Sequence, residues 1–381
     1  MTQARWSLVC SSCNAPAAME GASVCPSCGQ PLFAGYAAVP RSTELENRWD
    51  MWRYSSFLPL LEGEKPVSIG EGLTPLIEAP ALAREIGVRR LLIKDESQNP
   101  TGSFKARGMS AAVTRVKGAG APGIVVPTAG NAGAALAAYG AAAGVPVRVF
   151  APGSTPKPIL DTIEAMGATL IRVDGHIGDA GKAANAFAAE SGYASISTLR
   201  EPYRVEGMKT MGFEIAEQLG WRAPDVLVYP TGGGEGTVGI WKAFNELRAG
   251  GWLPSDFKQP SYVVAQAAGC APLVRAFESG AEVAFTWENP VTRAAGLRVP
   301  TPFGDRLLLN LMRESGGLAA SADEARIEAW RAKLASSTGI DASPEGGCAL
   351  AVLEAAVKSG RIGAGSEVVS FNTGSGASYR T

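Results

Sequence analysis

Histidine is almost missing from this chain: there is one, His176, among 381 residues. A Ser-His-Asp triad would have to use it, and a multi-His metal centre cannot be assembled within one chain. A surplus of charge is missing too. With 35 Lys plus Arg against 36 Asp plus Glu, the formal net charge is −1, so the overall electrostatic footprint of a nucleic-acid or acidic-membrane binder is absent. No long apolar run is present either. The longest such region, Ala132 to Val147, is rich in Ala and Gly, breaks at Gly144-Val-Pro and ends at Arg148. It predicts a helix running into a strand rather than a membrane span of about 20 residues. The first thirty residues lack the basic start and continuous apolar core of a secretory signal, so the expected location is cytoplasmic.

Glycine is abundant, at 46 residues, and 46% of the chain is hydrophobic. At about 100–200 residues per domain, the length predicts two or three domains with a sizeable core. The excess glycine fits flexible linkers, tight turns or places where backbone approaches a ligand closely.

Four of the six cysteines form Cys10-x2-Cys13-x11-Cys25-x2-Cys28. Two CxxC knuckles supply four thiolates in the tetrahedral arrangement that zinc prefers, and a site with every position filled is structural. A disulfide pair and a redox CxxC are the alternatives; they call for an oxidising compartment and a βαβ context respectively. Residues 1–36 carry only Arg5 and Glu20 as charged side chains, too few for a nucleic-acid-binding ribbon. The segment reads as a small folded appendage held by zinc. Cys270 and Cys348 have no comparable spacing and read as buried thiols.

After a connector containing Trp49, Trp52 and Tyr54, short β-rich runs alternate with helical patterns. The expected strands are Leu91 to Lys94, Ile124 to Pro127, Val147 to Ala151, Thr169 to Val173, Val226 to Tyr229, Tyr262 to Ala265 and Val368 to Phe371. Met109, Ala112, Val113 and Val116 make one helical stripe; Ile240, Trp241, Phe244 and Leu247 make another. This alternation predicts α/β architecture with mainly parallel sheets, in which ligands collect at the carboxyl ends of strands.

Three loops occupy such places: Asn99-Pro-Thr-Gly-Ser-Phe-Lys105-Ala-Arg-Gly, Thr128-Ala-Gly-Asn131-Ala-Gly and Thr231-Gly-Gly-Gly-Glu-Gly-Thr237. In the third, Gly232, Gly233, Gly234 and Gly236 clear side chains from where backbone N–H groups can surround an anion, and a helix expected from near Thr237 adds its positive end. The loop lacks the Lys-Ser/Thr ending of a nucleotide P-loop and does not fit GxGxxG.

Together the three loops resemble the signature of fold-type II pyridoxal-phosphate enzymes, and Lys94-Asp-Glu-Ser-Gln-Asn-Pro-Thr-Gly-Ser-Phe-Lys105-Ala-Arg-Gly-Met is most similar to the threonine synthase family. The resemblance extends over Glu71-Gly-Leu-Thr-Pro-Leu76, Pro202-Tyr-Arg-Val-Glu-Gly-Met-Lys209 and Asn372-Thr-Gly-Ser-Gly376. It implies the tryptophan synthase β-like fold: two parallel-sheet α/β domains, a large one at 37–104 and 205–381 and a small one at 105–204, behind a zinc ribbon at 1–36. It also implies a small amino-acid substrate, pyridoxal 5'-phosphate and a homodimer.

By that resemblance, Lys105 holds the cofactor as a Schiff base and moves protons, Asn131 bonds the phenolic oxygen of the ring, and Gly232, Gly233, Gly234, Gly236 and Thr237 cradle its phosphate. Thr373 faces the pyridine nitrogen. A neutral hydroxyl there weakens the electron sink and favours elimination and replacement over transamination. Backbone N–H groups of Thr128, Ala129, Gly130, Asn131 and Ala132 receive the substrate carboxylate at a helix start, and Arg204 receives a substrate phosphate. Glu345 belongs either near the ring or to a helix start, and His176 matches no family motif. The family pattern has Asp where this chain has Ala106, Thr at Ala132, Asn near Gly233, and TGHG with a following lysine where this chain has Thr373-Gly-Ser375-Gly. The implied reaction converts O-phosphohomoserine to threonine and phosphate. The alternatives are β-elimination or β-replacement on serine, threonine or a phosphorylated or modified amino acid, and a zinc-ribbon binding protein on an inactive scaffold.

Overall fold

The computed structural model describes residues 5–380. In chain order it begins with strands β1 (Trp6–Cys10), β2 (Pro16–Ala17) and β3 (Leu32–Tyr36), followed by β4 (Leu76–Glu78), helix α1 (Pro80–Ile86) and β5 (Arg90–Asp95). Next come α2 (Lys105–Gly118), β6 (Ile124–Pro127), α3 (Asn131–Ala143), β7 (Val147–Pro152), α4 (Lys157–Ala165), β8 (Thr169–Val173), α5 (Ile177–Ser191), β9 (Ala194–Ser195) and α6 (Arg204–Gln218). The last part runs through β10 (Val226–Pro230), α7 (Glu235–Ala249), β11 (Ser261–Ala267), α8 (Pro272–Glu278), α9 (Asp305–Glu314), β12 (Leu318–Ala322), α10 (Glu324–Thr338), α11 (Pro344–Lys358) and β13 (Glu367–Asn372).

These elements form two compact units. One holds the described residues up to Leu73 together with Asn99–Met211; the other holds Thr74–Gln98 and Gly212–Arg380. The first unit opens with an antiparallel sheet in the order β2-β1-β3, whose alternating side chains Trp6, Leu8, Cys10, Leu32 and Ala34 are buried together with Cys25 from the loop between β2 and β3. That cluster is too small to hold a fold alone. The unit's main sheet is wholly parallel, in the order β8-β7-β6-β9, and packs Ile124, Val126, Val147 and Val149 against Met109, Ala112, Val113 and Val116 of α2 and Leu136 and Tyr139 of α3. The predicted stripe of α2 is thus a core face. Where α2 meets the first turns of α6, a Cβ on Gly207 would lie 2.1 Å from the Arg107 carbonyl oxygen, so only glycine lets the backbones approach.

The second unit has a six-stranded sheet in the order β12-β11-β10-β13-β5-β4, parallel except for the β4–β5 pair. Its core gathers Leu91, Ile93, Val226, Val228, Val263 and Val368 beneath Leu350, Val352 and Leu353 of α11. Local chemistry places the helix ends: Pro80, Pro272 and Pro344 open α1, α8 and α11, while Gly87 and Gly339 close α1 and α10 in the left-handed region.

The expected strands are all present. β1, β2, β3, β4, β9 and β12 are additional; β12, Leu-Ala-Ala-Ser-Ala, has little β propensity and is a strand because it pairs with β11. The Ala132–Val147 region is α3 running through Gly144 into β7. No described helix is long and apolar enough to cross a membrane.

Candidate active site

In the first unit, Lys105 is the opening residue of α2 and is half-buried, with Nζ 4.5 Å from the centroid of the Phe104 ring. The chain reaches it through a tight turn in which Thr101 (φ 61°) and Gly102 (φ 69°) are left-handed. The Asn99 side chain accepts a 3.0 Å bond from the Gly72 N–H and so anchors the start of that turn. Ser103 Oγ, two residues before the lysine, is buried without a hydrogen-bond partner. The turn at Pro100–Gly102 packs against α3, and α2 packs along α3, so Lys105 and Asn131 open neighbouring helices.

The loop before α3 narrows the expected carboxylate receiver. The Thr128 N–H donates to Phe150 O at 2.9 Å, and the Gly130 N–H donates to Thr128 Oγ1 at 3.0 Å. Two of the five amides are therefore committed within the protein. Those of Ala129, Asn131 and Ala132 remain, the last two in the first helical turn where no intrahelical acceptor exists. Gly130, with extended φ of −179°, is the N-cap.

In the second unit, adjacent strands β10 and β13 end beside each other and lead into Thr231–Thr237 and Thr373. Helix α7 begins at Glu235, two residues before the expected Thr237, because Gly234 takes the left-handed N-cap conformation (φ 86°). Gly236 and Thr237 consequently lie in the first turn, where their amides are open to an anion at the positive end of the helix. Several of the glycines also answer to packing: a Cβ on Gly232 would stand 2.2 Å from Gly296 O, and one on Gly236 would stand 2.2 Å from Tyr229 Oη. The Thr237 and Thr231 hydroxyls are 3.1 Å apart.

Thr373 is buried at the end of β13, where Asn372 donates to Asp95 Oδ1 at 2.8 Å and the Ser343 N–H donates to Gly374 O at 3.0 Å. Glu345, in the first turn of α11, accepts from the Gly296 N–H (2.9 Å) and the Tyr379 hydroxyl (2.8 Å) through Oε1. Its Oε2, like Ser343 Oγ and Ser370 Oγ, is buried without a partner. The sequence carried no signal for Ser343 or Ser370, since serines in loops and strands are ordinary until burial leaves them unpaired.

Arg204 opens α6 and is buried rather than at the surface; it donates to Ile196 O at 2.8 Å and to Thr198 Oγ1 at 3.4 Å. His176 is an exposed N-cap of α5 whose N–H donates to Asp179 at 3.0 Å. At the end of β1 and in the turns beside the N-terminal sheet, the sulfurs of Cys10, Cys13, Cys25 and Cys28 all lie within 4.8 Å of one another. Burial works to raise the Cys25 thiol, but the amides of Cys28 and Ser27 and the neighbouring sulfurs outweigh it and hold that thiol down at about 6. The Cys28 thiol moves the opposite way: the Gln30 amide lowers it, but the Cys10 sulfur, burial and the Cys13 and Cys25 sulfurs outweigh that and push it up to about 12. Cys270 and Cys348 are buried, and desolvation raises both thiols.

The family model described as "Pyridoxal-phosphate dependent enzyme" matches residues 67–374. Threonine synthase from Methanosarcina acetivorans is 37% identical over 327 residues, covering 85% of this chain and 79% of that protein. Threonine synthase from Methanocaldococcus jannaschii is 35% identical over 328 residues, covering 86% and 80%. Among solved structures, maize serine racemase superposes with a TM-score of 0.68 at 20% identity, over 80% of this chain and 88% of that one, a likeness of fold.

Proposed function

Since the chain belongs to the pyridoxal-phosphate-dependent enzyme family and is a lyase of threonine synthase type, we propose that it converts O-phosphohomoserine to threonine and phosphate. The observation that carries this reading is the similarity to threonine synthases over 85% of the chain, joined to a lysine at a helix start where that family's motif places it.

The donor set suits pyridoxal phosphate. Helix-start amides at Gly236 and Thr237 match a phosphate, Lys105 supplies an amine, Thr373 supplies a neutral hydroxyl, and buried Ser103 Oγ, Ser343 Oγ and Ser370 Oγ lack partners in the protein. When bound, the cofactor supplies an electron-accepting ring for the pair released as the substrate Cα–H bond breaks. Lys105 Nζ takes that α-proton, carries protons during loss of the γ-phosphate, and returns one after water adds at Cβ. The open amides of Ala129, Asn131 and Ala132 orient the substrate carboxylate, with Asn131 also bonding the phenolic oxygen. Gly232, Gly233, Gly234, Gly236 and Thr237 form the cradle. Arg204 is the proposed receiver of the substrate phosphate, by turning from Ile196 O. The four N-terminal cysteines hold a structural zinc, and the family resemblance supports a cytoplasmic homodimer.

A β-eliminating or β-replacing reaction on serine, threonine or a modified amino acid is the second reading. It is favoured by Ala106, which is fully buried in an apolar cluster where the family pattern has Asp. Two assays separate them: phosphate release from O-phosphohomoserine, and 2-oxoacid formation from threonine or serine. Phosphate release with threonine as product supports the first reading, oxoacid formation alone the second, and silence in both assays rejects both. Lys105→Ala should abolish the visible absorbance of the bound cofactor.

A further inference from the structure

Glu71 lies in the Val67–Leu73 segment and is completely buried. Its Oε1 is 3.1 Å from Trp52 Nε1 and 2.6 Å from Ser110 Oγ; its Oε2 accepts from Tyr139 Oη at 2.6 Å, Ser68 Oγ at 3.2 Å and the Ile69 N–H at 3.0 Å. A buried carboxylate with this many neutral partners is costly to assemble, and its effect depends on what those partners belong to. Ser110 is on α2, five residues after Lys105. Tyr139 is on α3, eight residues after Asn131. The next residue, Gly72, donates to Asn99 at the start of the turn leading to Lys105. Gly72 is left-handed (φ 99°), and a Cβ there would stand 2.6 Å from the Met51 nitrogen, so only glycine fits; the Met51 N–H donates to Glu71 O at 2.7 Å. The Tyr139 phenol stays protonated as a donor because burial, and then the charge of Glu71, raise it far above its ordinary range.

We propose that Glu71 is a positioning residue that sets Lys105 and Asn131 in place, through one hydrogen bond to α2 and another to α3. Neither helix can shift at its Glu71 contact without moving its first residue, because an α-helix carries displacement along its axis. The inference rests on the roles proposed above for Lys105 and Asn131. It predicts a division of labour between the two arms: the Ser110 arm serves the proton-carrying amine, and the Tyr139 arm serves the carboxylate receiver.

The test uses holoenzyme and O-phosphohomoserine. Ser110→Ala should lower kcat about tenfold with KM changed less than about threefold, and Tyr139→Phe should raise KM about tenfold with kcat changed less than about threefold. Glu71→Gln should show both effects and shift the visible cofactor band. Equal movement of kcat and KM in the two single variants, or wild-type behaviour of Glu71→Gln, would overturn the inference. If Glu71→Gln does not fold, the single variants decide. If wild-type enzyme does not turn over O-phosphohomoserine, that reaction fails separately, and the arms are scored on the cofactor band: a shift in Ser110→Ala but not in Tyr139→Phe supports the inference, and any other pattern rejects it.

Discussion

Replacing Gly232 by alanine tests the glycine loop at its tightest point. The added Cβ would lie 2.2 Å from Gly296 O, with Val299 Cγ2 at 3.0 Å. A carbon and a carbonyl oxygen rest at about 3.3 Å or more, so the loop or the Gly296 turn must yield by roughly 1 Å. Neither side offers a flexible side chain to absorb this, because the oxygen belongs to backbone. Overpacking of this kind costs about 1–3 kcal/mol of stability. The displacement also moves amides that would face the cofactor phosphate. Loss of one charge-assisted hydrogen bond, about 1.5–3 kcal/mol, corresponds to roughly 10–150-fold weaker binding. Titration of apoenzyme with pyridoxal phosphate, followed by visible absorbance, measures this directly. Gly363→Ala is the control, since nothing lies within 4 Å of a Cβ there. Wild-type cofactor affinity in folded Gly232→Ala would refute the assignment of this loop as the cradle.

Other perturbations address the scaffold. Lys94 Nζ, fully buried, donates to Glu214 Oε2 at 2.8 Å, Thr74 O at 2.8 Å and Gln218 Oε1 at 3.0 Å. Lys94→Met should destabilise the protein by about 3–5 kcal/mol by stranding the Glu214 charge, and the double variant Lys94→Met/Glu214→Leu should recover much of it in denaturant melts; no recovery would contradict the pairing argument. Burial works to raise the Glu367 carboxyl, but hydrogen bonds from Arg222 and Arg90 outweigh it and hold the group below its ordinary 4.5. Its contribution is present above 4.5 and disappears as pH falls through the lower folded value, so the stability gap between wild type and Glu367→Gln should close on acidification below about 4.5; a gap independent of pH would count against it. Metal analysis should find one zinc per chain, lost in Cys13→Ser, and a chelator should lower the melting temperature of wild type but not of that variant.

The chemistry-bearing motifs were legible because their spacing is local. Two CxxC knuckles, a lysine at the mouth of α2 and a glycine run after a strand of Val and Tyr can all be read from neighbouring residues, and the strand–helix alternation announces a parallel α/β fold. Strand β12 was not legible: Ala and Ser become strand only beside β11. The start of α7 was off by two residues, because the left-handed turn at Gly234 cannot be distinguished in sequence from its neighbouring glycines.

The sequence alone determined which groups are available: one lysine in its motif, four clustered thiols, a neutral hydroxyl in Thr373 and almost no histidine. Tertiary structure decided which of them are already spent. It committed the Thr128 and Gly130 amides to protein acceptors, gave glycines 232 and 236 a packing role beside any ligand role, turned Arg204 inward, and gathered Trp52, Ser110 and Tyr139 around Glu71. The physical reason is that a hydrogen bond or a steric limit is a relation between residues distant in the chain. Residue type fixes what a group can donate or accept, but only folding supplies its partner.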